Sequence, residues 1–125
     1  MDEIPTIVAD YIAAYNALDV AGMLRCLSDD VRFVNRSGGT VSAETNGIDA
    51  FGTLAHQGAA LFTRRTQAVT NCIACAGHVT LRIDYRATVA ADLPNGWMAG
   101  QEIRLDGVSL FTLRDGTIVE LVDIS

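Results

Sequence analysis

From Thr66 to Ile124 the chain is a run of strand-like segments whose connections are too short to hold a crossover helix, which removes every parallel α/β architecture. The clearest segment is His78 to Ala91. Val79, Leu81, Ile83, Tyr85, Ala87 and Val89 alternate there with Thr80, Arg82, Asp84, Arg86 and Thr88, the period-two signature of a strand. Thr66 to Ala76 reads as the strand before it. Leu93-Pro94-Asn95-Gly96 is a turn, and Trp97 to Leu113 and Thr117 to Ile124 are the strands after it. Arg114-Asp115-Gly116 joins the last two, and Asp-Gly between alternating segments is a strong hairpin signal.

The first half has a different period. Ile4, Ile7, Val8, Tyr11, Ile12, Tyr15 and Leu18 recur as one face of a helix, with Pro5 suited to its first turn. Asp19 offers an N-cap to a short second helix over about Val20 to Leu27. Asp29-Asp30 reads as a turn, Val31 to Asn35 as a short strand, and Arg36 to Gly39 as a loop. A third helix is expected from Asn46-Gly47 to about Arg64, with Ile48, Phe51, Leu54, Ala55, Gly58 and Phe62 on one side and Arg64-Arg65 closing it. The order predicts one α+β domain over residues 1–125, its helices packed on one side of a curled antiparallel sheet.

Composition narrows the partners. Half of the 125 residues are apolar, enough to bury a core, and fifteen acids against nine bases give a net charge of −6. Nucleic acid and anionic membranes are poor partners for such a surface. No apolar run approaches a membrane span, and the acidic Met1-Asp2-Glu3 start lacks the pattern of a signal peptide, so a cytoplasmic location is expected. All nine basic residues are arginine, a pattern expected of GC-rich bacterial coding. Cys26, Cys72 and Cys75 are an odd set suited to a reducing compartment. Cys72 and Cys75 would face opposite sides of a strand, so no redox or metal site is read from them. His56 and His78 are expected in solvent.

The element order and three stretches resemble the SnoaL-like, nuclear-transport-factor-2-like superfamily. The first is Tyr11-Ile-Ala-Ala-Tyr-Asn16 with Leu27-Ser-Asp-Asp-Val31, the second Asn46-Gly47-Ile48, and the third Gly107 to Asp123. Ketosteroid isomerase, polyketide cyclases and limonene epoxide hydrolase are members. The resemblance implies a cone-shaped sheet around an apolar pocket, commonly in a homodimer, and leaves function open because the scaffold hosts enzymes and binders alike.

Laid along ketosteroid isomerase, the oxyanion tyrosine falls on Tyr11, the base on or near Asn35, and the second acid on Ser109. An amide takes no proton at neutral pH, which argues against steroid isomerisation by that route. Limonene epoxide hydrolase resembles the chain differently. Its Arg-x-Asp falls on Arg82-Ile83-Asp84, its last-strand acid on Asp123, and its water-holding asparagine on Asn35, while Phe33 stands where that family has a tyrosine. By this likeness Asp123 is the base, Asp84 the acid and Arg82 the bridge, since two crowded carboxyls split their pKa values.

That assignment turns on one strand. It needs Arg82 and Asp84 to face the hollow, with Val79, Leu81, Ile83 and Tyr85 outside and covered by a second subunit. The opposite reading puts Arg82 and Asp84 in water as a weak surface pair. Asp123 is expected to share a face with Val119 and Leu121, and Ile118 to lie on the other. The expectation is a cone whose pocket is lined by Tyr11, Tyr15, Phe33, Asn35, Phe51, Trp97, Ser109, Phe111 and Leu121. It would receive a small hydrophobic oxygenated molecule and work, if at all, without metal or cofactor. A non-catalytic binding or dimerisation module is the alternative.

Overall fold

A computed structural model describes residues 1–125. Helices α1 (Thr6–Asn16) and α2 (Val20–Arg25) are followed by strands β1 (Leu27–Ser37) and β2 (Thr40–Asn46). After α3 (Ile48–Ala60) come β3 (Phe62–Cys75), β4 (His78–Val89), β5 (Glu102–Arg114) and β6 (Thr117–Ile124). The strands form one sheet in the order β2-β1-β6-β5-β4-β3. Every neighbouring pair is antiparallel except β1 with β6, where the two halves of the chain meet in parallel. The α+β class is as expected from the sequence; the sheet is mixed and has one strand more.

The additional strand is β2. Its sequence, Thr40-Val-Ser-Ala-Glu-Thr-Asn46, lies at the sheet edge and is largely exposed, so burial leaves it almost no alternation to read. Other boundaries move for local reasons. Asp29 and Asp30 belong to β1, in a stretch where its pairing with β6 skips from Leu27–Ile118 to Arg32–Glu120. Helix α3 stops at Ala60, so Arg64 and Arg65 lie in β3 instead of closing a helix. Trp97 sits in the loop ahead of β5, held by a hydrogen bond from its N–H to Asn95 Oδ1 at 3.0 Å.

The helices cover one face of the sheet. Asp19 caps α2, accepting from the Gly22 N–H at 2.9 Å. Asn16, at the end of α1, is clamped to β3: its Oδ1 accepts from the Gln67 N–H at 2.7 Å and its Nδ2 donates to the Gln67 carbonyl at 3.3 Å. Val8, Tyr11 and Ile12 of α1, Met23 of α2 and Phe51 of α3 pack with Val79, Leu81, Ile83, Phe111, Ile118 and Leu121 of the sheet into one core. Leu81 and Ile118 are fully buried, so the aliphatic face of β4 points inward. Arg82 and Arg86 are exposed on the outer face. No helix is long and apolar enough to cross a membrane.

Candidate functional site

Strand β6 carries one extra residue against β5. Pairing runs from Val108–Ile124 to Thr112–Glu120 and resumes at Leu113–Ile118, leaving Val119 without a partner. The bulge resets the alternation, so Ile118, expected on the opposite face, joins Leu121 and Asp123 on the inner one. Asp123 then stands in a rung across the sheet, Ala43–Asn35–Asp123–Ser109–Leu81–Cys72, whose side chains share the helix-covered face.

Ser109 Oγ donates to Asp123 Oδ1 at 2.7 Å. Asn35 donates from Nδ2 to Ser42 Oγ at 2.6 Å and to Ser37 Oγ at 3.3 Å, which fixes its amide beside the acid. Burial pushes the Asp123 carboxyl up to about 6, against a smaller lowering by the Ser109 hydrogen bond. Asp123 retains partial accessibility, but to the hollow it lines. Protein atoms crowd it on its other sides, which is the burial that raises it.

That hollow is a cavity of about 480 Å³ between the sheet and α3, walled by Phe33, Phe51, Leu54, Phe62 and Tyr11, with Asn35, Arg65 and Asp123 as polar points. Phe33 meets Phe51 edge-on at 5.2 Å. A second lobe of about 310 Å³ shares Tyr15, Asn35, Leu61, Phe62 and Asp123 with the first and opens past Tyr85, Trp97 and Ser109. Trp97 leans on Phe62, their rings 6.4 Å apart. Between the lobes Tyr15 donates a hydrogen bond to the Tyr85 hydroxyl at 2.9 Å. Burial raises the pKa of Tyr11, Tyr15 and Tyr85, so all three phenols stay protonated.

Arg65 is the residue sequence reasoning missed. It is only 4% exposed and lines the cavity. Its Nε donates to the Tyr15 carbonyl at 2.8 Å, one Nη meets Met23 Sδ at 3.5 Å, and the guanidinium lies 3.6 Å from the centre of the Tyr15 ring. The available signal was parity, because Arg65, Gln67 and Val69 alternate with Arg64, Thr66 and Ala68. Reading helix through Arg64 hid it. Tyr85, placed outside only by the reading that turned Arg82 and Asp84 inward, lines the second lobe.

Of the nine residues expected to line the pocket, Tyr11, Tyr15, Phe33, Asn35 and Phe51 line the main cavity, while Trp97 and Ser109 line the second lobe. Phe111 and Leu121 do not. They are sealed in the core, with Phe111 edge-on to Tyr11 at 5.8 Å. The inward Arg82–Asp84 arrangement is also not formed. Asp84 is on the outer face, 3.8 Å from Arg86 in a loose, half-exposed pair, and Arg82 lines a shallow groove on that same exterior. The pleat decides this: burying Leu81 and Ile83 necessarily turns positions 82 and 84 away. No group of three His, Cys, Asp or Glu side chains gathers as a metal site would need.

Solved structures of similar shape are numerous. A protein of ketosteroid isomerase-like fold from Catenulispora acidiphila, in complex with trimethylamine, is 17% identical over 97% of this chain and 85% of its own, with a TM-score of 0.80. A candidate SnoaL-like polyketide cyclase from Jannaschia is 17% identical over 98% and 89%, also with a TM-score of 0.80. TerC, crystallised with polyporic acid, is 21% identical over 94% and 87%, with a TM-score of 0.73. At these identities the likeness establishes the fold alone. No curated protein sequence matches. The sequence profile of the SnoaL-like domain, however, matches residues 8–121, nearly the whole length from α1 through the buried half of β6. The chain belongs to the SnoaL-like domain family.

Proposed function

We propose that this cavity takes a small, largely hydrophobic, oxygenated molecule and that Asp123 moves a proton on it without a cofactor. The observation that carries this reading is a carboxyl set among aromatic walls, its pKa pushed up to about 6 by burial and its orientation fixed by Ser109. Such a group is ionised just above its pKa and basic enough to abstract a proton beside a carbonyl. Returning that proton to another carbon gives an isomerisation, and closing a ring on the carbanion gives a cyclisation. Neighbours of the same fold that support this reading include a candidate polyketide cyclase and a protein crystallised with polyporic acid. Hydrolysis by a pair of carboxyls is not favoured, because Asp84 lies across the sheet from Asp123.

The outer face of the sheet is read as a contact between two copies of the chain. Val122 and Leu110, 36% exposed, pair in line across it and lead through Thr80 to Ile73, which is 60% exposed. Charged groups such as Arg82 and Asp84 flank this stripe. The outer sheet face is also the contact first expected, but with Val79, Leu81, Ile83 and Tyr85 on it, and those side chains point inward instead. Sedimentation of Leu110→Arg tests it: a monomer is expected where the unaltered chain is a dimer, and a monomeric unaltered chain overturns it.

The catalytic reading is tested with nitrobenzisoxazole, a carbon acid that opens to a coloured phenolate when a base removes its proton. Turnover is expected to rise with pH through about 6 and to fall by about 10²-fold in Asp123→Asn while Asp84→Asn keeps it. Equal rates in the unaltered chain and Asp123→Asn would leave a binding module only. That second reading is favoured by Asn35, an amide standing where ketosteroid isomerase carries its base.

A further inference from the structure

We infer that the ligand of this cavity carries an organic carboxylate, and that Arg65 binds it. The inference deepens the small-molecule reading of the cavity and rests on it. Arg65 is a cation almost completely withdrawn from water, yet no Asp or Glu comes within ion-pair distance of it. The four arginines that do form ion pairs, Arg25, Arg32, Arg86 and Arg114, are all about half-exposed or more, whereas the buried guanidinium has no anion beside it. Buried charges are ordinarily paired.

The contacts that Arg65 does make supply only partial negative charge: the Tyr15 carbonyl near the end of α1, the Met23 sulfur and the face of the Tyr15 ring. A guanidinium has five N–H donors, and these contacts use two. None of its nitrogens is among the sealed, unpartnered side-chain atoms, which are Thr45 Oγ1 and Gln67 Oε1. The one Nη that makes no hydrogen bond therefore keeps accessible surface, and Arg65 lines the cavity. The Nε bond and the stack on Tyr15 hold the plane of the fork, so it is oriented before anything binds. A planar fork in fixed orientation matches a carboxylate, which can accept two parallel hydrogen bonds from it.

The rest of the cavity fits the same kind of molecule. Phe33, Phe51, Leu54 and Phe62 would enclose an apolar body attached to that carboxylate. Asp123, the acid of the same cavity, is not paired with Arg65, so an entering anion need displace no internal salt bridge. It would instead meet repulsion from Asp123 whenever Asp123 is ionised.

A matched pair of probes tests this on the unaltered chain by calorimetry near neutral pH: naphthoate and naphthamide, equal in shape and differing in charge. Naphthoate is expected to bind at least about tenfold more tightly, a preference near the lower range of a charge-assisted hydrogen bond. In Arg65→Gln the preference should vanish while naphthamide binding changes by less than about threefold, and in Arg65→Lys part of it should return. Asp123→Asn should tighten naphthoate alone. Naphthamide binding as well as naphthoate overturns the inference and leaves the apolar cavity reading standing; so does a preference that survives in Arg65→Gln. Binding of neither probe overturns both.

Discussion

Ser109 and Asp123 sit directly opposite each other on β5 and β6, and the serine hydroxyl reaches the carboxylate at 2.7 Å. The two influences on Asp123 oppose one another. Burial favours the neutral acid, the hydrogen bond favours the anion, and burial wins by enough to place the carboxyl at about 6. A carboxyl so poised is half-ionised near pH 6 and mostly ionised at neutral pH, within reach of both accepting and returning a proton.

Removing the weaker influence should expose the stronger one. In Ser109→Ala the carboxyl loses its donor and its pKa is expected to climb further, by roughly one unit, since hydrogen bonds to charged groups are worth about 1.5–3 kcal/mol and one unit is about 1.4. The midpoint of Asp123, followed by carboxyl NMR, checks it. An unchanged or lower midpoint would show that Ser109 does not set the acidity.

The same group should make stability fall with pH. A carboxyl raised in the folded state holds its proton between the unfolded value, near 3.8, and about 6, so the native state loses stability as pH rises across that interval. Asp123→Asn removes the penalty. It is expected to match the unaltered chain near pH 4 and to exceed it by about 2–3 kcal/mol above pH 6, roughly two units at about 1.4 kcal/mol each. Urea denaturation at the two pH values measures the difference.

On the other side of the sheet little should happen. Asp84 and Arg86 form an exposed pair at 3.8 Å, a class worth about 0–1 kcal/mol. Asp84→Asn and Arg82→Ala should each shift stability by less than about 1 kcal/mol and leave proton transfer intact. Loss of turnover in Asp84→Asn would restore the two-carboxyl mechanism.

The β3–β4 hairpin turns on Ala76 and Gly77, both in the left-handed region, with φ of 51° and 77°. Two such residues make the tight mirror-image turn that suits antiparallel strands, and alanine is a poor occupant of its first position. Ala76→Asn should raise stability by roughly 0.5–1 kcal/mol, read as a higher melting temperature.

Strand and helix identities were legible because burial writes them as period: β4 alternates cleanly and α1 repeats its apolar face, and both lie where read. The Asp115–Gly116 hairpin and the Asp19 cap were legible for local reasons, a positive φ and a side-chain acceptor. Strand β2 was not, since an exposed edge selects no pattern. Position 123 was assigned to the inward face, yet Ile118 was misplaced, because a bulge is set by pairing across strands and leaves no local mark. Positions 82 and 84 failed differently. Alternation gave two faces without saying which was wet, and the family likeness pointed to the wrong one. Arg65 was lost to a helix boundary misplaced by a few residues, since a one-turn extension changes which neighbours share a face.

The unpaired Val119 has an evolutionary corollary. Removing it would join Ile118 directly to Glu120 in a plain ladder, with Ile118 still opposite Leu113 and Asp123 still opposite Ser109, so the acid would keep its place in the hollow. The spare residue is thus a point at which this scaffold can lose a single codon without turning that acid away from the hollow.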